Sequence, residues 1–225
     1  MRIPTKRIAE IGRIALRNTL DFILPQPPLV RFLEQTDVSV LSARARRAGE
    51  NLPGIISVFD YKDPLIKALV WEIKFKNNKR LAALAAEALY EHLLAEISDH
   101  KLFEGGLMLL IIPVPLAKER LRERGFNQAE RMAEEMVRLD GEQSFSISNA
   151  VSRIRETKSQ TQTKNRTERL ENLRGTFKVT GAKDVKGKHV IVLDDVTTTG
   201  TTINEIRKVL LETGAVSVTG LTLAH

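Results

Sequence analysis

The stretch Val190-Ile191-Val192-Leu193-Asp194-Asp195-Val196-Thr197-Thr198-Thr199-Gly200-Thr201-Thr202 decides the fold class. Its apolar run predicts a buried parallel strand over 189–194, with two carboxylates at the carboxyl end. A loop of small hydroxylated residues with one glycine then opens a helix predicted over 203–212. In an open α/β sheet, ligands bind off the carboxyl ends of the strands. A helix N-terminus offers N–H groups and partial positive charge to a phosphate. Gly200 permits close approach of the backbone, and the hydroxyls of Thr197, Thr198, Thr199, Thr201 and Thr202 add donors. The paired acids have the opposite chemistry: they repel phosphate, but accept hydrogen bonds from a diol or hold a divalent cation. Cradle and acids together describe a sugar phosphate such as a ribose 5-phosphate.

Outward from this motif, the chain reads as strands alternating with helices, which implies a mostly parallel sheet. Pro64 opens a helix with Leu65, Leu69 and Ile73 at helical spacing, and a second helix carries Leu81, Leu84, Ala88 and Leu89 after Asn77-Asn78. Strands are predicted over 107–114, 144–151, 175–180 and 216–223, and a further helix over 125–139. Residues 1–60 look different. Arg2, Lys6, Arg7, Arg13 and Arg17 alternate with Ile3, Ile8, Ile11, Ile14 and Leu16, as in a basic amphipathic helix stopped by Pro25, Pro27 and Pro28. Such a helix can lie on a membrane or on nucleic acid, but the favoured reading packs it on its own domain with a solvated basic face. A basic patch, Arg44-Ala45-Arg46-Arg47, precedes a turn signal at Asn51–Gly54.

Composition narrows the class. The chain has 225 residues, 42% of them apolar and 28% charged, as in a soluble globular protein. It has no cysteine, which excludes disulfides and thiolate-bound zinc and suits a reducing cytoplasm. No stretch reads as a membrane span or a cleaved signal peptide. The net charge of +7 and pI near 9.7 favour anionic partners without choosing among them.

Two more constellations carry candidate chemistry. The strand over 107–114 runs into Pro113-Val114-Pro115-Leu116 and then Arg120-Leu121-Arg122-Glu123-Arg124-Gly125-Phe126-Asn127-Gln128. Arg120 and Arg124 are spaced for one helical face, and their guanidinium forks suit phosphate oxygens. The segment over 152–174 is polar, basic and poor in apolar residues, which reads as a lid able to cover a pyrophosphate leaving group and supply Lys158 to it. The aromatic content is only 5%. Trp71 and the phenylalanines read as core, so no aromatic hood for a base is evident.

The segment 190–202 resembles the PRPP-binding motif of type I phosphoribosyltransferases. Together with Pro113–Leu116, Arg124–Gln128, Thr157–Gln160, Arg169, Asn172, Gly175 and Phe177, it resembles the ComF family of phosphoribosyltransferase-like proteins associated with natural competence. Tyr61, Pro64, Leu65, Lys74 and Phe75 extend the resemblance over residues 60–225. Many members of that family begin with paired cysteines resembling a zinc ribbon, which this chain lacks. After Gln160, where the family usually continues Gly-Leu, this chain has Gln162 and Thr163.

The resemblance implies a type I phosphoribosyltransferase-like α/β domain over 61–225, a mostly parallel sheet flanked by helices, with an N-terminal helical appendage over 1–60. It implies binding of PRPP with Mg2+: the 5′-phosphate on Thr197–Thr202, catalytic carboxylates at Asp194 and Asp195, and pyrophosphate met by Arg120, Arg124 and Lys158. Direct protein ligands to the metal are expected from Asp194 and Asp195 at most. The expected reaction is phosphoribosyl transfer with release of pyrophosphate. The alternative is a non-catalytic accessory of DNA uptake that binds single-stranded DNA or a nucleotide. The acceptor base is not legible, and a homodimer is left open.

Overall fold

A computed structural model describes residues 27–100, 108–154 and 175–225. Two short helices come first, α1 (Pro28–Gln35) and α2 (Val38–Arg44), followed by strand β1 (Ile55–Phe59). Helix α3 (Pro64–Trp71) runs into a π-helical turn, Glu72–Lys76, before the long helix α4 (Lys79–His100). Strand β2 (Leu109–Pro113), helices α5 (Lys118–Arg124) and α6 (Gln128–Asp140), and strand β3 (Phe145–Ile147) make the middle of the chain. Strands β4 (Val151–Arg153) and β5 (Phe177–Val179), the single-turn helix α7 (Ala182–Val185), strand β6 (His189–Val196), helix α8 (Thr201–Glu212) and strand β7 (Ser217–Ala224) complete it.

The sheet is five-stranded in the order β1-β7-β6-β2-β3, and every pair in it is parallel. Its central strands are apolar on both sides, which parallel sheets require because crossover helices cover both faces. One face buries Ile111, Ile191, Leu193 and Leu221 against α4 and α6, through Leu81, Leu84, Met132 and Met136. The other face buries Leu110, Ile112, Val190 and Val192 against Ile203, Ile206 and Leu210 of α8. The crossover helix α6 between β2 and β3 and the helix α8 between β6 and β7 therefore lie on opposite faces. The strand order reverses between β2 and β6, and a doubly wound sheet opens its ligand crevice at that point.

The sequence placed β1 in the N-terminal appendage, but the structure puts it in the sheet. Ile55 pairs with Gly220 and Phe59 with Ala224, and the Ser57 and Thr222 hydroxyls bond across the two strands at 2.9 Å. Helices α1 and α2 also belong to this body, since Val38, Leu33 and Leu41 join the core cluster of α3 and α4. The basic patch is structural here. Arg46 pairs with Asp60 at 3.2 Å, and the guanidinium of Arg47 sits 5.3 Å from the Phe59 ring centroid. The expected helix within residues 1–24 lies outside the described residues.

Other boundaries moved for local reasons. Asn127 caps α6 by accepting from the Ala129 N–H, so the helix expected over 125–139 starts at Gln128, and Gly125, at φ +74°, closes a separate short helix α5 before it. The strand expected over 144–151 divides into β3 and β4, and β4 leaves the main sheet to pair antiparallel with β5. Helix α8 begins at Thr201, two residues before the expected start.

Gly220 of β7 lets α8 and β1 meet: a Cβ there would lie 2.7 Å from Ile203 Cγ2 and 3.1 Å from Ile55 Cγ1. Gly220→Val should overpack this junction and cost about 1–3 kcal/mol. A urea unfolding curve would read this as a lower midpoint at unchanged slope.

Candidate functional site

The carboxyl ends of β2 and β6 open into a cleft of about 280 Å³. Asp194, Asp195 and Thr197–Thr202 form one wall, and Val114, Pro115, Leu116, Arg120, Arg124 and Gln128 form the other. Tyr61, Lys74 and Arg153 reach the same cleft. The sequence-derived candidates Asp194, Asp195, Arg120, Arg124 and the threonine loop are thus brought together by the strand reversal. Lys158 and the proposed lid lie outside the described residues. The antiparallel β4–β5 ladder that brackets them is described, and its Arg153 stands at the cleft.

The loop after β6 is built for close approach. Thr197 is anchored through its N–H to the Ala224 carbonyl at 3.0 Å, and its Oγ1 accepts from the Gly200 N–H at 3.1 Å. Thr199 and Thr201 share a hydroxyl contact of 2.7 Å, and a ring nitrogen of His225 lies 3.1 Å from the Thr198 carbonyl. Gly200 holds φ +70° at the N-cap of α8 and supplies no side-chain cap. A Cβ at this position would stand 2.6 Å from Ile55 Cδ1, so strain and crowding both require glycine. The first-turn amides of α8 have no intrahelical acceptors, and with the helix dipole they suit an anion.

The acids are the opposite pole. Asp195 is 3% exposed and pairs with Lys74 Nζ through Oδ1 at 3.1 Å, while its buried Oδ2 has no hydrogen-bond partner. The backbone N–H of Asp195 donates to Asp194 Oδ1 at 2.9 Å, and that of Val196 donates to Asp195 Oδ1 at 2.7 Å. Burial first, and the neighbouring Asp195 charge second, push the Asp194 carboxyl up to about 8, with Lys74 opposing. An unsatisfied buried carboxylate oxygen costs roughly 1–3 kcal/mol or more, and a ligand donor or cation would offset that cost. Among the described residues no group of three or more His, Asp or Glu side chains could hold a metal. Asp194 and Asp195 are oxygen donors suited to Mg2+, which keeps most of its ligands from substrate and water.

Lys74 was quoted in the sequence only within a resemblance, with no role assigned. The π-helical turn carries it into the cleft, and such turns recur at functional sites. Helical spacing does not single out Lys74, since Glu72 and Lys76 flank it. The Arg124–Gln128 motif also acquires physical content. The Arg124 guanidinium lies 5.0 Å from the Phe75 ring centroid and donates to Gln128 Oε1 at 3.0 Å, with Gln128 itself buried. Burial holds the Arg124 pKa below its ordinary value, the largest influence, and Asp195 opposes that shift. Asn127 Nδ2 donates to the Val114 carbonyl at 3.1 Å, tying this motif to the exit of β2. One sequence expectation is corrected: Trp71 and Phe75 are not core but 57% and 52% exposed.

Residues 121–224 match the Phosphoribosyl transferase domain. The chain is 36% identical over 167 residues to DNA utilization protein YhgH of Salmonella typhimurium, covering 73% of this chain and 68% of that one. It is 32% identical over 174 residues to competence protein F of Haemophilus influenzae, covering 76% of this chain and 72% of that protein. The chain belongs to the ComF family. A third member, competence protein ComFC of Bacillus subtilis, is 32% identical over 168 residues, covering 74% of this chain and 62% of its own length. The parallel sheet, its flanking helices and the cleft at the strand reversal are thus a ComF protein's type I phosphoribosyltransferase-like fold. Among the described residues no helix is long and apolar enough to cross a membrane.

The raised Asp194 carboxyl makes stability depend on pH. Between its unfolded value of 3.8 and its folded value of about 8, the folded chain holds a proton that the unfolded chain releases. This contribution is complete at low pH and is lost as pH rises through that window. The Tm of the ligand-free protein should therefore fall between about pH 4 and about pH 8 more steeply than that of Asp194→Asn. The variant should be the more stable of the two at the alkaline end. Parallel slopes in differential scanning calorimetry would refute the assignment.

Proposed function

We propose that this ComF protein binds PRPP with Mg2+ and transfers its phosphoribosyl group to an acceptor, releasing pyrophosphate. The observation that carries the reading is the pairing of opposite chemistries on one loop. Asp194 and Asp195, one with an orphaned buried oxygen, stand directly before an uncapped glycine turn and helix N-terminus. A ribose 5-phosphate has this polarity, a diol at one end and a dianion at the other. The 5′-phosphate would lie on the Thr197–Thr202 amides, and the acids would accept the ribose 2′- and 3′-hydroxyls.

In the transfer, the bond from C1 of the ribose to the pyrophosphate oxygen breaks with its electron pair leaving on pyrophosphate, the acceptor's nucleophilic atom bonds to C1, and the proton that atom loses passes to the departing pyrophosphate or to water. Positive charge develops on the ribose ring as pyrophosphate leaves. Asp194 and Asp195 would stabilise that charge, in a partly desolvated site that strengthens the attraction. Arg120 and Arg124 on the facing wall, with Lys158 from the segment between β4 and β5, would neutralise the leaving group. Mg2+ would be held by Asp194 and Asp195 beside substrate oxygens and would supply further charge neutralisation of the pyrophosphate. Lys74, 3.1 Å from Asp195 in the free protein, would turn to the incoming anion when the ligand engages the acids.

A second reading, a DNA-handling accessory located in the cytoplasm, is favoured by the names of the relatives and by the net charge of +7. It predicts single-stranded DNA binding whose affinity falls with salt at about 0.7 log units per neutralised phosphate. PRPP should not displace that DNA, since the cradle suits a terminal phosphate.

Isothermal titration with PRPP and MgCl2 tests the main reading. Asp194→Asn combined with Asp195→Asn removes two charge-assisted acceptors, each worth about 1.5–3 kcal/mol, so affinity should fall at least about tenfold with folding retained. Unchanged affinity would sink the ribose assignment. A pyrophosphate-release screen over nucleobases then separates turnover from binding alone.

A further inference from the structure

Trp71 and Phe75 are the two most exposed aromatic side chains among the described residues, at 57% and 52%. Their ring centroids lie 4.4 Å apart with the planes tilted by 45°. They are not an isolated surface pair. Phe75 follows Lys74, which reaches into the cleft to Asp195, and the Phe75 ring is capped by Arg124 at 5.0 Å. Arg124 lines the same cleft from the other wall. Phe75 thus adjoins the cleft through its contact with Arg124 and its neighbour Lys74, and Trp71 packs on Phe75 outside the cleft lining.

A half-exposed aromatic pair beside cations and a polar cleft suits a particular ligand chemistry. An aliphatic group would gain burial but ignore the ring geometry, and a simple anion would use the cations but not the rings. A planar heteroaromatic ring carried by an anionic sugar uses both. We propose that Trp71 and Phe75 form a stacking shelf for the nucleobase of a small ligand, either the free acceptor base or the nucleoside 5′-monophosphate made from it. This rests on the reading of the cleft as a ribose phosphate site. Stacking tolerates any base because every base has a π-face. The shelf thus defines an acceptor class, with purines held more tightly than pyrimidines through their larger rings.

Trp71 is the chain's single tryptophan, so its fluorescence reports the shelf directly. The full chain with MgCl2 would be titrated with GMP, UMP, ribose 5-phosphate and an oligo-dT strand, excited at the red edge of tryptophan absorption. GMP should quench saturably and more tightly than UMP, and ribose 5-phosphate should bind in calorimetry without quenching. In calorimetry, Trp71→Ala should weaken GMP about tenfold, within the range of losing one stacked aromatic, while PRPP affinity stays the same. Trp71→Phe should recover most of the GMP affinity, which a merely structural role would not require. Equal GMP affinity in Trp71→Ala, or GMP binding without quenching, overturns the shelf. Quenching by oligo-dT alone, with none from a mononucleotide, also overturns it and assigns the pair to a polynucleotide. If PRPP and ribose 5-phosphate fail to bind while GMP still quenches, the cleft reading fails and the shelf stands. If PRPP binds and GMP does not, the shelf fails alone.

Discussion

Two adjacent carboxylates end the strand β6, and only Lys74, 3.1 Å from Asp195, forms an ion pair with them among the described residues. Burying such a pair is unfavourable unless it is neutralised, and breaking it would leave an uncompensated buried charge. Much of the surrounding architecture supports this arrangement. The sheet reverses its winding there, so two strand ends open a gap instead of packing against a common helix. The π-helical turn brings the lysine in from a helix that otherwise covers the sheet. The loop after the acids bends immediately into α8, so the positive end of a helix dipole stands beside the paired acids.

The facing wall follows a different logic. Arg124 is held by a ring beneath it and an amide beside it, so its charge is positioned before any ligand arrives. Asn127 ties the start of α6 to the carbonyl of Val114. Helix α5, short and closed by Gly125, is thereby fixed at both ends. Preorganisation of this kind lowers the ordering cost of recognising a flexible polyanion. The same asymmetry appears across the cleft: a rigid hydrogen-bonded threonine loop on one side, and long cationic side chains on the other.

The sequence made much of this legible, for reasons that differ by residue. Asp194, Asp195 and Gly200 could be read because strand, acids and turn are contiguous, and local order alone gives their geometry. Arg120 and Arg124 followed from their position after a strand end. Lys74 did not, because its meaning depends on a contact with a strand far along the chain and on a π turn that helical spacing does not announce. β1 was missed because its short apolar run becomes a strand only by pairing with β7 at the other end of the sequence. Trp71 and Phe75 were misread because an aromatic at helical spacing is usually core. Their exposure is set by where the helix ends, not by what it contains.

The π turn has one more consequence, which concerns phase. Relative to an α-helix it behaves as one inserted residue, and each residue of a helix is about 100° around the axis from the last. Whatever lies beyond the turn is therefore rotated by that angle from where an uninterrupted helix would carry it. Lys74, aimed at Asp195, and Phe75, aimed at Arg124, lie inside the turn, where the wider spacing already offsets them from α-helical positions. A deletion that healed the turn would preserve composition, helicity and hydrophobic content while turning the basic and aromatic side chains away from their partners. Sequence drift in this segment is thus constrained in length more tightly than in identity.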